Sequence, residues 1–137
     1  MHQLTTCIDA VVSTIGIDSS EAELRLTELE KFLRVATECG ESLRPSQWVD
    51  EAWHVLIKDD ETYRSFLSLH GLPYVHHVPD EPQGERSESA AQYARTTALI
   101  KQRYGSLNDY AWATNGSADC DSGSKCVTPC RSVQHEC

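Results

Sequence analysis

The residues best suited to chemistry lie in two short stretches, VDEAWHVLI and PYVHHVP. In the first stretch His54 follows Asp50 by one helical turn, and the second stretch carries His76 and His77. Neutral imidazole binds zinc, nickel, copper or iron, and a carboxylate can complete such a site or orient one of its histidines. The sequence therefore predicts a metal site drawn from Asp50, His54, His76 and His77. Zinc or another divalent transition metal is the expected ion.

The spacing of these residues limits how they can meet. Asp50 and His54 share one face of a helix. His76 and His77 are adjacent in a stretch that its prolines keep extended, so their side chains point to opposite sides. Only one of the two is expected to join His54, while the other forms a hydrogen bond in the loop. A purely structural role also stays open, because no HExxH or CxxC arrangement specifies a metal geometry.

A second group of candidate ligands lies close to the end of the chain, within CDSGSKCVTPCRSVQHEC. Its members are Cys120, Cys126, Cys130, His135 and Cys137. Four thiolates, or three with the histidine, could hold one zinc ion tetrahedrally. The Cys-x2-Cys spacing of zinc ribbons is missing, so two disulfides, a redox-sensitive tail or a polar tail whose thiols have no joint role also stay open. We expect these cysteines to act together, as a second metal site or as a disulfide framework.

Hydrophobic periodicity predicts the helices that must position these groups. Ser20 and Glu23 have the spacing of a capping box at the start of a long helix, and Gly40 is suited to end it. Ser46 is the expected N-cap of the helix that carries Asp50. Further helices are expected over 3–14, over the Tyr63 to His70 stripe and over about 88–104, the last of which is predicted to bury Tyr93, Ala94, Thr97, Ile100 and Tyr104.

These elements predict an all-α fold. It is a small helical bundle of four or more helices, with a long histidine-bearing loop and a cysteine-rich C-terminal tail. No strand-length run of alternating polarity and no internal repeat occurs in the sequence. The expected division is a helical domain over 1–112 and a cysteine-containing tail over 113–137.

Composition narrows the class of partner. The 137 residues include 12 basic and 21 acidic side chains, which give a net charge of −9. A surface that binds nucleic acid needs clustered lysine and arginine, so direct nucleic-acid binding is not expected. The N-terminal stretch resembles no signal peptide and no membrane span is predicted, so we expect a cytoplasmic protein. In a reducing compartment Cys7 and Cys39 are most simply buried apolar residues.

Several short motifs along the chain have a familiar order. They are Phe32-Leu33, Pro45-Ser46, Val49-Asp50, Trp53-His54, Tyr63, Gly71, His76-His77 and Pro79, followed by Tyr93, Thr96, Tyr104, Gly105 and Trp112. In this order they resemble the N-terminal helical region of the glycine-rich domain-containing proteins of plants and bacteria. The resemblance covers about residues 20–112, and its Pro-Ser, Val-Asp and Trp-His run is the specific part.

The chain departs from that pattern at three points. Leu56 stands where many members of the family have a second histidine, and Leu67 replaces a common cysteine. The glycine-rich tail is absent, since the whole chain has only seven glycines. The resemblance implies a helical fold and favours a metal at His54 with His76 or His77, but it does not imply a particular reaction.

Three functions agree with these observations. The first is a small helical metal-binding domain that acts as a binding or regulatory module with a protein partner. The second is a metal-dependent enzyme, hydrolytic or oxidative, that uses Asp50, His54 and one of His76 and His77, with Asp50 or Glu51 as a general base. The third is an acidic inhibitor or interaction protein, for example from a mobile element, that docks on a basic partner.

Overall fold

The computed structural model describes residues 2–79, 86–112 and 130–133 of the chain. Within these residues it contains five helices and one two-stranded antiparallel sheet. The elements, in chain order, are α1 (His2–Ile15), α2 (Ser19–Cys39), α3 (Gln47–Ile57), α4 (Asp60–Leu69), β1 (His76–Pro79), α5 (Arg86–Tyr104) and β2 (Cys130–Val133). The expectation of a mostly helical fold is confirmed.

The helix that carries the candidate site begins where the sequence predicts. The Ser46 hydroxyl accepts a hydrogen bond from the backbone N–H of Val49 at 3.1 Å, so Ser46 is the N-cap of α3. The start of α2 differs from the prediction. Its N-cap is Asp18, whose carboxylate accepts from the backbone N–H of Glu21, and Ser20 already lies within the helix. An aspartate two positions earlier caps as well as a serine does, and Gly40 ends α2 as expected in the left-handed conformation.

One core joins the helices. Helix α1 packs against α2, α3 and α4, while α2 also packs against α3 and α5. Trp53 and Phe32 are fully buried at the centre, with their rings edge to face and their centroids 5.4 Å apart. Aromatic pairs prefer this geometry because the ring edge and the ring face carry opposite partial charges.

The buried stripe of α5 differs in part from the prediction. Tyr93 and Ile100 are buried as expected, but Ala94 is exposed and Thr96 is buried in its place. The Thr96 hydroxyl donates to the carbonyl of Gln92 at 2.8 Å and accepts from the backbone N–H of Arg44 at 3.2 Å. These two bonds remove the cost of burying a polar group, so a threonine can occupy a core position that hydrophobicity alone does not indicate.

The short sheet includes the histidine-bearing segment. Strand β1 contains His76 and His77, and β2 comes from the cysteine-containing tail and pairs with it along its whole length. Cys120, Cys126, His135 and Cys137 lie outside the described residues, so the predicted cysteine framework stays a prediction. No helix in the described part of the chain combines the length and the apolar character that a membrane span requires.

Candidate metal centre

Asp50 forms the buried base of the candidate site. It lies in the first turn of α3, and its backbone N–H donates to the Ser46 carbonyl at 2.8 Å, as the first helical bond requires. Only 2% of Asp50 is exposed. The partial positive charge of a helix N-terminus stabilises a carboxylate here. A buried negative charge nevertheless needs further partners, because it has lost most of its hydration.

His54 lies one turn later on the same face of α3. Its Nε2 is 3.6 Å from Asp50 Oδ2, a distance that is too long for a good hydrogen bond. About a third of the side chain, 35%, is exposed, so this edge of the site faces solvent. Burial lowers the pKa of His54, and the neighbouring His77 and Lys58 lower it further, while Asp50 and Glu51 oppose the shift. Neutral imidazole is the form that binds a metal.

Trp53 of α3 and Tyr63 of α4 form a hydrogen-bonded pair that holds the segment before His77. The indole N–H of Trp53 donates to the Tyr63 hydroxyl at 3.1 Å. That hydroxyl in turn donates to the carbonyl of Val75 at 2.5 Å, two residues before His77. Both side chains are fully buried, and burial raises the pKa of Tyr63, so its hydroxyl keeps the proton that it donates.

His77 completes the group. Its Nε2 is 3.2 Å from Asp50 Oδ1, and only 8% of its side chain is exposed. The imidazole meets the Trp53 ring edge to face at a centroid distance of 4.4 Å, and it meets the His54 ring at the same distance. A carboxylate can only accept hydrogen bonds, so in the absence of a metal the His77 Nε2 must carry a proton and donate it to Asp50.

The structure therefore brings together three of the four residues predicted for the main site. One ligand atom from each of Asp50, His54 and His77 can be chosen so that all three lie within 4.8 Å of one another. His76 is not part of this group, and its ring instead packs against Tyr74 at a centroid distance of 4.9 Å. The two adjacent histidines diverge because successive side chains of a strand point to opposite faces.

The spacing of the three groups is close to that of metal ligands. Ligands at about 2.0–2.1 Å from one zinc ion lie about 3.3 Å from each other in a tetrahedral site. His77 Nε2 lies 3.2 Å from Asp50 Oδ1 and His54 Nε2 lies 3.6 Å from Asp50 Oδ2, so each imidazole is near this spacing from one of the two carboxylate oxygens. Two histidines with one carboxylate are also a common ligand set for catalytic zinc and for non-haem iron.

A second buried carboxylate, Glu28 of α2, has a different environment. It is 2% exposed, and it accepts a hydrogen bond from the Trp112 indole N–H at 2.9 Å. Its other oxygen lies 3.2 Å from the ammonium of Lys31. A permanent cation and a neutral donor therefore satisfy this carboxylate. In the described part of the chain, the ion-pair partners of Asp50 are the two histidines, and no lysine or arginine is among them.

Glu51, which the sequence offers as a general base, is bound elsewhere. Its carboxylate accepts from the guanidinium of Arg25 at 2.7 Å, which links α3 to α2. Sequence reasoning placed Trp53 in the core but missed its role, with Tyr63, in holding the histidine strand. The available signal was the polar group that each of these aromatic side chains carries, since a buried indole N–H or hydroxyl usually needs a hydrogen-bond partner.

Comparisons with family models, with curated proteins and with solved structures find no match to this chain. The interpretation of the site therefore depends on its geometry and its chemistry.

Proposed function

We propose that this protein is a small helical metal-binding module that holds one divalent transition-metal ion, with zinc as the first choice, through Asp50, His54 and His77. The observation that carries the proposal is the convergence of one carboxylate and two imidazoles from α3 and β1. Residues distant in sequence meet here at ligand spacing, and the pair that brings them together is itself buried and hydrogen-bonded.

Charge supports the same conclusion. Asp50 is almost completely buried, and its described partners are histidines, of which His54 has a lowered pKa. A neutral imidazole offers a hydrogen bond but does not neutralise the carboxylate. A divalent cation would neutralise it, and it would also use the lone pairs of both imidazoles.

The resemblance to the glycine-rich domain-containing proteins is part of the proposal. Ser46 caps the helix of the site, Asp50 and His54 are two of its ligands, and Tyr63 holds the strand that contains His77. Most of the specific family-like motif therefore surrounds one point of the structure. We infer that the motif describes a metal site and the helices that support it.

Metal analysis of untagged protein, purified without chelator and then reloaded with zinc, tests the proposal. We expect one ion per chain in the wild type and a loss of stoichiometric binding in His54→Ala and in His77→Ala. His76→Ala is the matched control, because it removes the adjacent imidazole that faces away from the group. Its zinc content should equal that of the wild type.

Two results would overturn the proposal. One is a wild-type protein that binds no zinc, nickel, copper or iron at stoichiometric level. The other is equal metal content in the His76→Ala and His77→Ala variants, since a site defined by this geometry must distinguish them.

A second candidate function is that of a metal-dependent hydrolase. The observation that favours it is the 35% exposure of the His54 side chain, which leaves one side of a three-ligand site accessible to water. Catalytic zinc sites keep such a position for a water molecule, whose pKa the metal lowers to about 7. Zinc-dependent turnover of activated ester, phosphoester and peptide substrates, lost in His77→Ala but not in His76→Ala, would support it. The absence of turnover in zinc-loaded protein would leave the binding module as the function.

A further inference from the structure

One basic side chain lies beside the candidate metal centre, at the end of the helix that supplies two of its residues. Lys58 directly follows α3, one turn after His54 and two turns after Asp50. Its backbone angles, φ −65° and ψ −25°, are still helical, so these three residues lie along one face. Side chains on a helix lean towards its N-terminus, which directs the Lys58 stem towards the turn that contains His54.

The charge of Lys58 acts on the exposed edge of the centre. Burial is the largest cause of the lowered pKa of His54, and the Lys58 ammonium contributes to the same shift. A positive charge that disfavours the imidazolium also disfavours a divalent cation on that imidazole, because both repulsions follow Coulomb's law. Lys58 is therefore unfavourable for a site that binds only a metal ion, and its position needs another explanation.

The acidic residues around Lys58 have partners of their own. Glu51 and Asp60 each accept a hydrogen bond from an arginine at 2.7 Å, and Asp59 is the N-cap of α4. Lys58 is exposed, and it forms no ion pair with a described residue. Its ammonium is thus available to a molecule from solution, at the edge where the His54 side chain is 35% exposed.

We propose that the candidate metal centre binds a small oxyanion, a phosphate or carboxylate group, and that Lys58 recognises its negative charge. The inference rests on the proposed metal site and names the class of molecule that this site takes. Three protein ligands leave room at a zinc ion for one more, and the neighbouring ammonium adds a second positive group for an anion with two or more oxygens. Lysine acts as a point charge rather than a planar fork, so both kinds of oxyanion meet the requirement.

Anion titration of the full-length, untagged, cobalt(II)-loaded protein tests the inference. The visible absorption of cobalt(II) changes with its ligands, so it reports an anion that reaches the centre. Inorganic phosphate and acetate are titrated separately, with sodium perchlorate to keep the ionic strength constant. We expect a saturable spectral change with at least one of them while the ion stays bound. The anion that saturates at the lower concentration identifies the preferred group.

A change of charge at Lys58 should move two affinities in opposite directions. Lys58→Gln should weaken binding of the anion by about tenfold, the effect of one hydrogen bond to a charged group. It should also strengthen cobalt binding in the absence of the anion, because a repelling charge is gone. Lys58→Arg should restore both affinities towards the wild type. Lys101→Gln is the matched control, since it removes a lysine from the C-terminal turn of another helix, α5, and should change neither affinity.

The outcomes separate the role of Lys58 from the metal site itself. Stoichiometric cobalt binding with a spectrum that neither anion changes, or an anion that only removes the cobalt, overturns the inference and leaves the metal site standing. An anion affinity that is unchanged in Lys58→Gln, or that falls equally in Lys101→Gln, does the same. Absence of any stoichiometric cobalt binding overturns the inference and the proposed function together.

Discussion

Two buried carboxylates, Glu28 and Asp50, have the same exposure of 2% and opposite surroundings. Glu28 has the ammonium of Lys31 and the indole N–H of Trp112, which together supply a charge and a hydrogen bond. Asp50 has two imidazoles, neither of which carries a permanent charge. The first carboxylate is complete within the described protein, whereas the second has partners that suit a cation from solution.

The difference teaches where to look for function in a helical domain with many acidic residues. A buried carboxylate that has a permanent cation beside it and an accepted hydrogen bond has its charge compensated within the protein and needs no ion from solution. Glu28 is of this kind, and it ties α2 to the segment that contains Trp112. A buried carboxylate surrounded by titratable or metal-binding groups is a candidate for chemistry.

The largest expected effect comes from the residue that lies beside the candidate metal site and in the shared core. Trp53→Ala removes a fully buried indole that contacts Phe32 and His77 and donates to Tyr63. We expect it to lower the free energy of unfolding by about 3–5 kcal/mol in chemical denaturation. Trp48→Ala is the matched control on the same helix, where the indole is only partly buried. An equal loss in both variants would contradict the assignment of Trp53 to the centre of the core.

A crossed pair of isosteric variants separates the two carboxylates. Asp50→Asn should change the stability of the metal-free protein by less than about 1 kcal/mol, because a lost helix-dipole interaction offsets the relief of a buried charge. It should also abolish the stabilisation by zinc that we expect in the wild type, about 2.7 kcal/mol at a zinc concentration of 100 times the dissociation constant.

Glu28→Gln should show the reverse pattern. It removes the charge that pairs with Lys31 and should lower stability by about 1–3 kcal/mol, with or without zinc. Thermal unfolding of both variants, each with and without zinc, measures all four quantities. The comparison fails if the two variants respond to zinc alike.

A somewhat smaller effect is expected at the hydroxyl that holds the histidine strand. Tyr63→Phe removes the hydroxyl that accepts from the Trp53 N–H and donates to the Val75 carbonyl. Both groups then lose their hydrogen-bond partner, which should lower the free energy of unfolding by about 1–2 kcal/mol. Because Val75 lies two residues before His77, zinc affinity should also fall by about tenfold in a competition titration. Tyr74→Phe is the control, since its hydroxyl makes a longer, exposed bond to Asp60 at 3.4 Å. Unchanged zinc affinity in Tyr63→Phe would mean that the loop is positioned by other contacts.

The smallest expected effect is a difference in reactivity between two thiols, Cys7 and Cys39. These thiols differ in burial, whereas the two carboxylates differ in their partners. Burial raises the pKa of the Cys7 thiol from 9.0 to about 11, whereas Cys39 is partly exposed. Between about pH 9 and pH 11 the folded protein therefore keeps the Cys7 proton, which the unfolded chain releases. The free energy of unfolding should fall as the pH rises through this range, because the unfolded chain binds fewer protons than the folded protein. Mass spectrometry after alkylation of native protein at about pH 8 should find Cys39 modified well before Cys7. Equal rates would contradict the burial of Cys7.

Local patterns in the sequence predict the helices well, because the residues that start and end a helix act on their immediate neighbours. Ser46 and Gly40 mark helix ends through backbone hydrogen bonds and a left-handed residue, effects that act within a few positions. The errors in the predicted burial arise where a residue has a partner that is distant in sequence. Thr96 is buried because the backbone of Arg44, far away in sequence, supplies its donor, and no periodicity contains that information.

The sequence could predict the four residues from which the candidate site is drawn, but it could not predict which of the two adjacent histidines lies beside Asp50 and His54. The spacing of Asp50 and His54 places them on one face, and the adjacency of His76 and His77 implies that only one of them joins. Which one joins depends on the Tyr63 hydroxyl and the Val75 carbonyl, a contact between α4 and the loop. The pairing of β2 with β1 was not predicted, since neither four-residue strand has an alternating pattern long enough to identify it.

The protonation and coordination of the imidazole nitrogens test the central claim most directly. Nitrogen-15 spectra of the histidine side chains, recorded before and after one equivalent of zinc, report each Nε2 and Nδ1 separately. Without metal, His77 should carry its proton on Nε2, where it faces Asp50 Oδ1 at 3.2 Å. With zinc, the His54 and His77 resonances should move to the values of metal-bound nitrogen, and the Nε2 proton of His77 should disappear while the His76 resonances stay in place. Retention of the His77 Nε2 proton at saturating zinc, or an equal response of His76, would contradict the claim that Asp50, His54 and His77 form a metal site.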